Sequence, residues 1–175
     1  MAENSGQDWV PGAYDALKGA GVRLAAYVPD GGFRNLIARC HQDAEMQTIS
    51  LVNESEGPCL MAGAWLGGTR GALIIQSNGI GNCGNNFGLT KMGRFPLLAI
   101  VSQRGSWGEA NSWMMYSGEI AEPILNLGGF HIMKVDHTED VADAVRAGAT
   151  TAFNASQPVA VVLTQRVLGA KQFVG

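Results

Sequence analysis

Six short, continuously apolar runs alternate with stretches of helical periodicity, and this alternation constrains the fold of the chain more than any other feature. The runs span residues 24–28, 49–52, 72–76, 97–101, 132–135 and 159–164. They do not alternate apolar with polar side chains, so they predict strands covered on both faces, as in a parallel sheet. Helical patterns fill the gaps, at 14–20, 33–40, 55–66, 85–92, 112–127 and 139–153. Strand and helix in strict turn predict a three-layer α/β fold around a six-stranded, mainly parallel sheet.

A chain of 175 residues is long enough for one domain with a full core. We therefore expect a single domain over 1–175, with 1–10 and 167–175 loosely ordered. Only 15% of residues are charged against 46% hydrophobic, which favours a chain that hides part of its surface against a partner. The net charge of −3 and the lack of any Lys/Arg cluster exclude a nucleic-acid footprint. No apolar run is long enough to span a bilayer and no leader pattern opens the chain, so a cytoplasmic location without membrane contact is expected. Cys40, Cys59 and Cys83 show no C-x-x-C spacing and His41, His131 and His137 are scattered, so neither a disulfide framework nor a metal cluster is expected.

Parallel strands collect the turns that follow them on one edge, and that edge is where open α/β sheets hold ligands. Four such turns are rich in Gly, Asn and Asp: 29–32, 53–55, 77–82 and 102–105. Glu54 lies in the second. Its neighbour Glu56 is assigned elsewhere: with Ser55 as N-cap and Pro58 in the first helical turn, Glu56 faces the positive helix end. Glu54 is left in the turn, off the sheet edge. Asp30 lies in the first turn, in a setting that suits a turn former as well as an acid. The run from Gly79 to Gly84 resembles a phosphate loop but matches neither G-x-G-x-x-G nor G-x-x-x-x-G-K-[ST]. Arg104, Lys91 and Arg94 are cations that suit an anionic substrate, but equally the ordinary role of exposed, solvated basic residues. No G-x-S-x-G elbow, H-E-x-x-H pair or Cys with a suitable His occurs.

Asn53-Glu54, then Gly57, then Met61-Ala62-Gly63-Ala64-Trp65-Leu66 resembles the glutamate-bearing segment of thiamine diphosphate enzymes, in their pyrimidine-binding domain. The strand and loop from Ile74 to Asn82, the run from Phe95 to Val101 with Arg104-Gly105, and Val28-Pro29-Asp30 fit the same domain. The whole, over about residues 12–165, is most similar to sulfopyruvate decarboxylase alpha subunits and the N-terminal half of phosphonopyruvate decarboxylases.

The resemblance implies a subunit of a 2-oxo acid decarboxylase in which Glu54 shares a proton with a ring nitrogen of the cofactor pyrimidine. It implies Asn78, Gly79 and Ile80 along the cofactor, and Asp30 and Asn82 towards the substrate or its intermediates. Such enzymes hold the diphosphate through Mg2+ on a Gly-Asp-Gly segment and a later Asn. This sequence has no Gly-Asp-Gly, so the resemblance implies a beta subunit that supplies that motif, in a hetero-oligomer. Phosphonopyruvate decarboxylases carry a histidine where Met114 stands here, so a phosphonate substrate is not expected. Trp107, Trp113, Met114 and Met115 suit a bulkier pocket or subunit packing. A carboligase or lyase subunit, and a non-catalytic ligand-binding module, remain open as alternatives.

Overall fold

Strands with no polar face need cover on both sides, and the computed structural model, which describes residues 8–169, supplies it for the four inner strands of the sheet but not for the two at its edges. The strands are β1 (Val22–Tyr27), β2 (Gln47–Ser50), β3 (Arg70–Gln76), β4 (Leu97–Ser102), β5 (His131–Val135) and β6 (Pro158–Leu163). They form one sheet in the order β2-β1-β3-β4-β6-β5, and every pairing is parallel. The helices are α1 (Val10–Gly19), α2 (Arg34–Gln42), α3 (Glu56–Leu66), α4 (Ser77–Cys83), α5 (Phe87–Gly93), α6 (Trp113–Leu127), α7 (Val141–Ala155) and α8 (Gln165–Leu168).

Successive strand residues point to opposite faces, and the core divides accordingly. Ile74, Ile100 and Val161 pack with Leu17, Phe33 and Val145 under α1, α2 and α7. Leu73, Ile75 and Val101 pack with Ile80, Phe87 and Leu125 under α3 to α6. The three-layer α/β fold is the one expected. Among the described residues no helix is long and apolar enough to cross a membrane.

The strand order creates the crevice. After β1 the chain steps outward to β2, then returns to β3 on the other side of β1. The turn after β1 enters α2 on one face and the turn after β3 enters α4 on the other, so the two diverge.

Three expectations need correction. The run 49–52 is not a buried strand: β2 ends at Ser50, forms a sheet edge, and leaves Val52 91% exposed. An edge strand has one neighbour only, so less of it is covered. Segment 77–82 is not a turn but most of α4, because its backbone packs against α6 closely enough to offset two weak helix formers, Gly79 and Gly81. The expected loose ends also shrink. Val10 begins α1, with Pro11 in its first turn, and α8 occupies 165–168. Residues 1–7 and 170–175 lie outside the described residues.

Candidate active site at the carboxyl edge of the sheet

Glu54 is held by the backbone around it. Asn53 Oδ1 accepts from the Ser55 N–H at 2.9 Å, its carbonyl accepts from the Glu56 N–H at 3.1 Å, and the Glu54 carbonyl accepts from the Gly57 N–H at 2.9 Å. Ser55 sits at the N-cap position expected, but its hydroxyl makes no capping bond, and the Asn53 side chain organises the turn instead. Glu56 lies in the first turn of α3 and reaches back, accepting from the Val52 N–H at 3.1 Å. Gly57 has Leu73 where a Cβ would sit, with Cδ1 at 2.5 Å, so α3 can lie hard against β3 only at a glycine. That seating brings the Glu54 turn over α4.

Across this gap Glu54 meets Gly79. A Cβ built on Gly79 would stand 2.2 Å from Glu54 Cγ and 2.5 Å from Oε1, so the carboxylate occupies the space that a side chain would fill. Asn82, one turn along α4, donates from Nδ2 to Glu54 Oε2 at 3.1 Å. The half-buried carboxylate is therefore held at one oxygen, while the other lies against Gly79 with no side-chain hydrogen bond among the described residues. Behind it, burial and the Glu54 charge push the Cys83 thiol up to about 12, so it stays protonated and is no nucleophile.

The structure distributes the other expected residues unevenly. Asn78 turns towards α6: its Oδ1 accepts from the Ser117 hydroxyl at 2.7 Å, and its amide nitrogen faces the Met114 sulfur. Ile80 points into the core and is fully buried, so it offers a ligand only backbone. Asp30 lies in a second pocket, where its carboxylate accepts from Gln76 Nε2 at 2.7 Å and from the Ser102 hydroxyl at 2.7 Å. That crevice of about 170 Å³ is walled by Asp30, Ser102, Gln103, Arg104, Gln165 and Leu168, with glycines between them. Glu54, Gly79 and Asn82 are thus one cluster, Asn78 faces the start of α6, and Asp30 answers to β3 and β4.

Arg104 corrects its sequence reading. It is buried and paired with Glu109 through Nε at 2.7 Å, so its charge is spent inside the protein. Lys91 and Arg94 lie around a different hollow, lined also by Gly128, Gly129 and Gln157, near the start of β6. Sequence reasoning missed Glu109, Gln76, Ser102 and Gln165. Gln165 in particular directly follows the last apolar run and precedes the tail expected from 167, in a stretch with no role legible in the sequence. Trp113 and Met115 are exposed, and Trp107 lies under the Arg166 guanidinium, 3.9 Å from its ring centre. No cluster of His, Cys, Asp or Glu among the described residues suits a metal ion.

No protein-family model matches the chain. It is 28% identical over 151 residues to the sulfopyruvate decarboxylase subunit alpha of Methanococcus maripaludis, covering 86% of this chain and 90% of that one. Against the same-named protein of Methanothermobacter thermautotrophicus it is 30% identical over 115 residues, 65% of this chain and 70% of the relative. Against the phosphonopyruvate decarboxylase of Streptomyces viridochromogenes it is 30% identical over 155 residues, 87% of this chain but 39% of that protein. Among solved structures, a 2-oxoglutarate:ferredoxin oxidoreductase from Magnetococcus marinus shares the fold, with a TM-score of 0.71 over 93% of this chain and 29% of that one, at 14% identity.

Proposed function

Because the chain belongs to the family of sulfopyruvate decarboxylase alpha subunits, we propose that it is the pyrimidine-binding subunit of a two-chain, thiamine diphosphate-dependent 2-oxo acid decarboxylase. The observation that carries this reading is the Glu54 carboxylate pressed onto Gly79, with one oxygen held by Asn82 and the other without a side-chain hydrogen bond among the described residues. When bound, thiamine diphosphate supplies the electron sink that lets carbon dioxide leave.

Glu54 Oε1 is the atom that holds and shares a proton with the cofactor's ring nitrogen. Asn82 keeps the carboxylate from rotating, so that the proton is offered in one direction. Gly79 gives the flat floor on which the carboxylate rests, and the α4 backbone from Asn78 to Ile80 runs along the same side. Asp30, already held by Gln76 and Ser102, faces the crevice where the 2-oxo acid enters. Met114 presents a thioether to Asn78 at the start of α6, where phosphonopyruvate decarboxylases carry a histidine, and this favours a substrate without a phosphonate.

The relatives are named as alpha subunits, and this sequence contains no Gly-Asp-Gly segment. Both support a beta subunit that holds Mg2+ and the diphosphate on a Gly-Asp-Gly and Asn motif. The test is to co-purify the chain with such a partner and assay carbon dioxide release from a panel of 2-oxo acids, with and without thiamine diphosphate and Mg2+. Glu54→Gln keeps the shape but not the exchangeable proton, and is expected to lose activity by about a hundredfold or more while the two chains still co-purify. Near-normal turnover in that variant would remove Glu54 from the reaction, and cofactor-independent turnover would remove the whole reading.

A further inference from the structure

The turn between β4 and α6 carries a carboxylate without a task so far. Glu109 has a side chain 1% exposed and faces Arg104, whose side chain is 7% exposed. A buried carboxylate is costly unless its lone pairs are engaged. Arg104 donates to it from Nε at 2.7 Å and from Nη2 at 2.8 Å. The backbone N–H groups of Gly105 and Asn111 donate at 3.3 and 3.0 Å, and Gln165 Nε2 donates at 3.0 Å. Buried Gln165 in turn accepts, at Oε1, from the Ser106 N–H at 2.9 Å and its hydroxyl at 3.2 Å. Residues 104–111 are wrapped around one side chain and fastened to α8.

The same turn bears on the candidate site in two places. The Arg104 N–H donates to the hydroxyl of Ser77, the first residue of α4, at 3.0 Å. Gly105 (φ 72°) and Gly118 let the turn lie backbone to backbone on α6. A Cβ at Gly118 would stand 2.1 Å from the Arg104 carbonyl oxygen, and one at Gly105 2.2 Å from that of Met114. The position of the turn therefore sets the start of α6, and with it Met114 and Ser117, which contact Asn78. Arg104 and Gln165 also wall the Asp30 crevice.

We propose that Glu109 is a positioning residue: its carboxylate gathers the 104–111 turn so that the Asp30 crevice and the Asn78 wall keep their shape, without itself touching substrate. This rests on the reading of that crevice as the 2-oxo acid site. A buried ion pair is by itself a weak source of stability. Two backbone N–H groups and Gln165, bound by the same carboxylate, order the chain in a way the pair alone does not.

Amide hydrogen exchange in the full chain tests the gathering directly, and kinetics of the two-chain enzyme test its purpose. In Glu109→Gln the amides of Gly105, Ser106 and Asn111 are expected to exchange about tenfold faster or more, while those of β4 and β6 keep their protection. The KM for the 2-oxo acid is expected to rise about tenfold, with kcat changed much less. The double variant Glu109→Gln/Arg104→Met removes the unpaired cation as well, so its thermal midpoint recovers while the amides and KM do not. Gln165→Ala, which leaves the ion pair intact, should free the Ser106 amide and raise KM in the same sense. Unchanged amide protection in Glu109→Gln, or a double variant that regains KM together with its midpoint, would overturn the proposal. The exchange measurement needs neither cofactor nor partner. An inactive wild-type complex would therefore sink the decarboxylase reading, and the KM claim with it, while the amides still decide whether Glu109 gathers the turn.

Discussion

One missing methyl group separates the candidate site from an ordinary helix contact. At Gly79 the space beside the α carbon belongs to the Glu54 carboxylate. Gly79→Ala is expected to push that carboxylate off its seat, leaving the fold intact and abolishing turnover as completely as Glu54→Gln. Near-normal activity in the two-chain assay would show that the seat is dispensable. Glu109 gives a prediction in pH. Arg104, with the N–H groups of Asn111 and Gly105, outweighs burial and holds its carboxyl down to about 2, against an ordinary 4.5. A lowered pKa contributes stability that is complete above the unfolded value and lost as the medium acidifies through the folded one, here between about pH 4.5 and 2. Acid titration of thermal midpoints should show Glu109→Gln losing less than the wild type across that window; equal slopes would mean that Glu109 is not held as described.

Among the elements, α4 lies beneath the Glu54 turn and was the hardest to read, whereas α6 (Trp113–Leu127) follows the helix expected over 112–127. Five of the six strands were legible because continuous apolar runs admit few other placements, and β4 and β6 are buried along their whole length. β2 (Gln47–Ser50) is no such run, and only its last two residues were foreseen. Glu54 was legible because Pro58 and Glu56 accounted for their own positions at the head of α3. By contrast, Gly79 and Gly81 in α4 read locally as a turn. Their helix comes from packing on α6, where Ile120 Cδ1 would stand 3.7 Å from a Cβ at Gly81, a contact 39 residues away in sequence. Gln165 and Glu109 escaped for the same reason: 56 residues separate two side chains that share a hydrogen bond. The close approach of α6 to the 104–105 turn gives a further prediction. Gly118→Ala places a Cβ against the Arg104 carbonyl and should destabilise the chain by about 1–3 kcal/mol, measured by urea unfolding. An unchanged midpoint would mean that α6 can shift freely there.

For the molecule as a whole, the two faces of the sheet differ in what they leave uncovered. Among the described residues, the large exposed apolar side chains fall on α3, α5, α6 and their adjoining turns, with Trp113 at 85% and Tyr116 at 71%. None lies on α1, α2 or α7. If a partner chain covers that side, Trp113→Ser with Tyr116→Ser should weaken co-purification by more than about tenfold. The thermal midpoint of the isolated chain should stay close to that of the wild type, since exposed positions contribute little to folding. An undiminished complex would direct the search to another surface. The order β4-β6-β5 also has a consequence for biosynthesis. β6 is translated after β5 yet lies between it and β4, so a nascent chain that has not yet reached Leu163 carries β5 with no neighbour and β4 with an open edge. Until then that edge is open to pairing with another chain, the hazard that unpaired strand edges carry during folding.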